Sequence, residues 1–111
     1  MKLSEAQTRV IEKAKRDIDL ARECDTYEEY FMKYEAPHCN AAYNTPEKFK
    51  AKDLDSWNWY KKGWEDHKDG IVLTHCNSRT LVKLEQYGLI EIITDSNGQE
   101  YGIDKIKVLN Y

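Results

Sequence analysis

Between residues 77 and 108 the spacing of apolar side chains changes from helical to alternating, and this change constrains the fold more than any other feature of the chain. Leu81, Leu84 and Tyr87 recur at three-residue spacing, as on one face of a short helix. Asn77 or Ser78 can cap its start. Gly88 stands where a helix ending in a left-handed residue wants glycine. Leu89-Ile90-Glu91-Ile92-Ile93-Thr94 then reads as a β-branched strand. Ser96-Asn97-Gly98-Gln99 holds the Asn-Gly pair favoured in tight hairpins. Tyr101, Ile103, Ile106 and Val108 give the return strand, with Gly102 a candidate bulge. The C-terminal third is thus expected to be a helix followed by a two-stranded hairpin.

The rest of the chain is helical in pattern. Leu3, Ala6, Val10, Ala14, Ile18 and Ala21 recur at three- and four-residue spacing, with Ile11 beside them. Ser4 and Gln7 have the capping-box spacing, as do Thr26 and Glu29. The second pair opens a short helix carrying Tyr27, Tyr30, Phe31 and Tyr34. Residues 35–45 lack periodicity and read as a loop. Thr45-Pro46 starts a third helix, since threonine caps and proline fits the first turn. That helix is expected to carry Phe49, Asp53, Trp57, Tyr60 and Trp64 on one face, with Trp57, Tyr60 and Trp64 in the core. Asp69-Gly70 signals a turn, and Ile71-Val72-Leu73 a short strand or extended entry. The expected class is α+β. At 111 residues the chain fits one domain, with an aromatic-rich helical insertion at about 26–69.

Thr80-Leu81-Val82-Lys83-Leu84-Glu85-Gln86-Tyr87-Gly88-Leu89-Ile90 resembles the recognition-helix segment of winged helix-turn-helix proteins. Leu3-Ser4-Glu5-Ala6-Gln7 followed by Val10-Ile11 is similar to the first helix of the same families. The whole chain also resembles small uncharacterised proteins of phages and prophages of Gram-positive bacteria. The resemblance implies a winged-helix DNA-binding or regulatory protein, with a recognition-type helix and a hairpin wing. The pattern covers about half the chain. It departs at residues 26–69, where a usual winged helix has only a short helix before the recognition helix.

The expected contact surface for double-stranded DNA is the start and outer face of the helix that follows residue 77. His75, Asn77, Ser78, Arg79, Lys83 and Gln86 are read as pointing away from Leu81 and Leu84. Arginine can read guanine and asparagine adenine in the major groove, while Lys83 and Ser78 suit phosphates. Asn97 and Gln99 at the wing tip, with Lys105 and Lys107 on the return strand, would reach the backbone or minor groove. The same residues also fit an ordinary solvated helix face and turn. Charge argues against a simple DNA binder: 17 basic against 20 acidic side chains give −3. Glu85, Glu91, Glu100 and Asp104 lie near the candidate residues.

The alternative is a protein-binding inhibitor of a host nucleic-acid enzyme or defence complex, of the anti-CRISPR kind, acting through an acidic aromatic surface. Trp59 falls off the helix face of Trp57 and Trp64 and would anchor that interface, with Tyr27, Tyr30, Tyr34 and Tyr43. A continuous positive face of Arg79, Lys83 and the wing lysines favours DNA. Interruption by Glu85, Glu91 and Glu100 favours a protein partner.

Catalysis has little support. His67 lies near Asp66 and Asp69, and His75 precedes Cys76, but neither makes a nucleophile–base–orienter set. There is no glycine-rich phosphate loop and no HExxH. His38-Cys39 and His75-Cys76 match no common zinc spacing, so no metal or other cofactor is expected. Cys24, Cys39 and Cys76 are an odd, sparse set that fits reduced thiols. No apolar run is long enough for a bilayer, and Met1-Lys2-Leu3-Ser4-Glu5 lacks a signal-peptide core. These readings place the protein in the cytoplasm of the host cell, without membrane contact. A homodimer through the first helix would suit paired half-sites.

Overall fold

The computed structural model describes residues 2–94 and 103–111. The expected Asn97-Gly98 turn, with Gln99, Glu100, Tyr101 and Gly102, lies outside the described residues. The fold is α+β. Helix α1 spans Glu5–Arg22, α2 Tyr27–Tyr30, α3 Pro46–Lys52 and α4 Leu54–Lys68. Strand β1 (Ile71–His75), helix α5 (Ser78–Gln86), and strands β2 (Ile90–Thr94) and β3 (Ile103–Val108) follow. No helix among the described residues is long and apolar enough to cross a membrane.

The helix starts obey their caps. The Ser4 hydroxyl accepts from the Gln7 amide, and the Gln7 side chain accepts from the Ser4 amide, closing the capping box. Thr26 accepts from the Glu29 amide, and Thr45 from the Lys48 amide. After α2 the chain continues as a π-helical turn, Phe31–Glu35, and a 3-10 turn, Ala36–His38. Part of the expected 35–45 loop is therefore helical.

The single third helix expected from sequence is two helices. Asp53 breaks it, with φ −155° and ψ 80°. Its carboxylate accepts from the Ser56 amide at 3.0 Å and the Ser56 hydroxyl at 2.7 Å, capping α4. Asp53 is thus a cap and not a member of the aromatic face.

The 71–73 run is a strand. β1 pairs antiparallel with β3, so the expected hairpin is two strands of a three-stranded sheet in order β1-β3-β2. Val72 lies opposite Ile106, and Ile90 opposite Val108. A register shift separates Ile92 and Thr94 on β2. Only Cys76 and Asn77 separate β1 from α5. The helices of residues 26–69 all precede β1, and none lies between β1 and α5.

Two cores share α1. Ile11, Ala14 and Ile18 pack with Val72, Leu81, Leu84, Ile90, Ile106 and Val108. One turn later Ala21 packs with Tyr27, Phe31, Ala36, Trp57 and Trp64. Trp57 is the centre of the aromatic core, with ring centroids 4.7 Å from Tyr27 and 5.1 Å from Phe31. The Trp64 indole donates to the Ala21 carbonyl at 3.1 Å, giving a partner to one of the last carbonyls of α1. Tyr60, expected in this core, is 50% exposed, because the core sits on the Trp57–Trp64 side of α4 and Tyr60 flanks it.

Candidate functional site

Strand parity decides how the expected DNA surface is assembled. Successive side chains of a strand point to opposite faces. Asp104, Ile106 and Val108 of β3 are buried on the face that packs against α1 and α5. Lys105 and Lys107 therefore project from the other face. There Lys105 Nζ lies 3.8 Å from an Asp66 oxygen of α4, and Lys107 lies opposite Glu91 and Ile71. His75, at the end of β1 and opposite Ile103, lines a small pocket with Arg9, Val10 and Lys13 of α1. Lys105 and Lys107 are not part of one surface with α5, which corrects the expectation from sequence, and His75 stands beside α1. Asp104, read as a nearby surface acid, is 1% exposed.

What remains together is the outer face of α5. Leu81 and Leu84 are buried, and Arg79, Val82, Lys83 and Gln86 stand on the opposite, exposed side, with Ser78 on its flank. Arg79 and Lys83 are one turn apart, and neither pairs with a carboxylate among the described residues. Glu85, one of the acids whose intrusion here would favour a protein partner, turns aside: its carboxylate accepts from the Ile92 amide of β2 at 2.8 Å. Glu91 lies on the far face of the sheet beside Lys107. Asn77 caps the helix by accepting from the Arg79 amide at 2.8 Å. Its carbonyl oxygen is thereby committed, leaving its amide nitrogen for an outside acceptor. Asn97 and Gln99 lie outside the described residues.

The second feature is a groove of about 390 Å³ between α2, the π-helical turn, α4 and β1. Tyr27, Tyr30, Glu35, Trp59, Tyr60 and Trp64 line it, and Asp66, His67, Leu73 and Lys105 extend it over the far face of the sheet. The Tyr27 and Tyr30 rings lie 5.9 and 6.4 Å from that of Trp64. Burial pushes the phenols of Tyr27 and Tyr30 upward, and the Glu35 carboxylate adds to both shifts. Burial also lowers the His67 imidazole.

The residues expected to anchor a protein interface are placed differently from one another. Trp59 is 66% exposed and lines the groove with Tyr30. Tyr27 is only 3% exposed, so it is a core residue and not a surface anchor. The Tyr34 hydroxyl donates to Glu23, which also pairs with Lys33. Tyr43 packs edge-on against Phe49 at 5.3 Å. Sequence reasoning missed Glu35 and Asp66 as groove residues; Glu35 comes from the π-helical turn, for which the sequence gives no local signal. Among the described residues no group of three or more His, Cys, Asp or Glu side chains is arranged to hold a metal ion.

Comparison with known proteins adds no family: no family model, curated protein or solved structure matches the chain.

Proposed function

We propose that this protein is a small DNA-binding regulator that presents α5 to duplex DNA, with the β2–β3 hairpin beside it in the manner of a winged helix. The observation that carries this reading is the outer face of α5. It collects Ser78, Arg79, Lys83 and Gln86 on one exposed side, and among the described residues no acidic side chain joins them, because Glu85 is turned to the β2 backbone. An exposed helix of this size fits the major groove, and an arginine near its start is placed to reach a base edge.

Two cations neutralise about two phosphates. Affinity should therefore fall with salt along a shallow slope of about −2 on logarithmic axes. The test is fluorescence anisotropy of labelled duplexes titrated at several salt concentrations. Lys83→Ala should weaken all sequences and reduce the slope by about 1, while Arg79→Ala should also relax sequence preference. Variants that bind like the parent would sink the proposal.

A second reading, docking on a host protein, rests on a separate observation. Trp59 and Tyr60 stand exposed beside the groove, on the face of the molecule that α5 does not use. Large exposed aromatics are the side chains that anchor protein interfaces.

A further inference from the structure

Among the described residues β1 has a strand neighbour on one side only. The Val108 amide donates to the Gly70 carbonyl at 2.9 Å, which makes these two residues a hydrogen-bonded pair of the antiparallel ladder. Such pairs alternate along a strand. The backbone groups of Val72 and Thr74 therefore also face β3, and those of Ile71, Leu73 and His75 face away from it. Among the described residues no hydrogen bond reaches these outward groups. The opposite edge of the sheet differs, because Glu85 occupies the Ile92 amide of β2. The space beside β1 is open. A cavity of about 150 Å³ runs between α1 and Val72-Leu73-Thr74-His75, and the groove borders Ile71-Val72-Leu73 on the α4 side. A cavity over one face of a strand meets every second residue, so one lined by four in succession lies along the edge.

Unpaired amides and carbonyls at every second residue of an edge are complementary to another extended backbone. We propose that an extended segment of a partner protein adds to β1 as a fourth strand. Partner residues hydrogen-bonded to Leu73 place their side chains on its face of the sheet, where Leu73, Trp59 and Tyr60 are 48, 66 and 50% exposed. The segment therefore carries apolar side chains at every second position. The edge is flanked by α1 on one side and α4 on the other. A bare strand enters there, whereas the same edge of a second copy, flanked in the same way, would bring helix against helix. The inference rests on the second reading, docking on a protein, and names the part of the partner that docks; it does not depend on the α5 face.

The test uses two acetylated, amidated peptides of one sequence, Thr-Val-Thr-Val-Thr-Val-Thr, one N-methylated at its three valines and the other at its last three threonines. Methylation removes the amide donor and blocks that edge of the peptide. In the bound register the valine amides face β1 and the threonine amides face away. The threonine-methylated peptide should bind the full chain, shift the Trp59 indole NMR signal and slow amide hydrogen exchange of Leu73 and His75 about tenfold, while Val72 and Thr74, already bonded to β3, change less. The valine-methylated peptide should bind about tenfold more weakly or not at all. The proposal is overturned if the two peptides bind alike, if neither binds, if the Leu73 and His75 amides keep their exchange rates, or if raising the protein concentration alone slows them, which would place a second copy at the edge. An indole shift without slowed exchange overturns strand addition and leaves docking on Trp59 and Tyr60 standing.

Discussion

His67 illustrates how one side chain ties the groove to the stability of the fold. It lies on the last turn of α4, where burial lowers its imidazole below the ordinary value of about 6.5. Asp17 and Asp66 raise it, Lys13 lowers it, and burial is the largest effect. The folded state therefore binds a proton less readily than the unfolded chain. His67 contributes stability that is fully present above the unfolded value and lost as the pH falls through the folded one. Denaturant midpoints of the parent should fall as the pH is lowered from about 7.5 to 5.5, and His67→Gln should flatten that fall. Parallel curves for the two proteins would exclude His67 as the cause. Asp104 is the other polar residue placed against expectation: it is buried, and its Oδ1 has no hydrogen-bond partner among the described residues.

At the scale of elements, the end of α5 is the best specified joint. Gly88 has φ +76°, the Leu89 amide donates to the Leu84 carbonyl at 3.1 Å, and the Gly88 amide donates to Glu85 at 2.9 Å. This paired termination directs the chain from helix into β2. Gly88→Ala forces a side chain into the left-handed region and should cost about 1 kcal/mol, measured as a lowered urea midpoint with an unchanged slope. No heavy atom lies within 4 Å of the added carbon, so the cost is conformational and not a clash. The same joint was legible in the sequence, as were the Ser4, Thr26 and Thr45 caps, because each depends on neighbours within a few residues. The break at Asp53 was less legible. Its Asp-x-x-Ser cap was written in the sequence, but Phe49, Trp57 and Trp64 kept an apparently continuous face across it. The placing of Lys105 and Lys107 failed through parity. Ile103 and Ile106 are three residues apart and cannot share a face of a regular strand, so the lysines beside Ile103 had to leave the inward set. The groove was the least legible feature, since α2, α4 and β1 meet there only through tertiary packing.

The whole molecule is organised around α1, which joins a sheet core to an aromatic core within its own length. The sheet separates two surfaces of different chemistry. Helix α5 covers one face and turns Arg79 and Lys83 outward. The groove with Glu35, Trp59 and Tyr60 opens onto the other, where Lys105 and Lys107 also lie. An acidic chain can contact DNA through a local cluster of cations, because the potential at such a patch acts alongside the net charge. The central claim is that DNA is contacted by α5 alone of these two faces, and backbone amide NMR of the full chain titrated with a short duplex at low salt tests it most directly. The account predicts that signals of residues 77–86 shift and that those of His75, Lys105, Lys107 and the groove stay in place. Shifts centred on the lysines of β3 or on the groove, or no shifts at all, would contradict it.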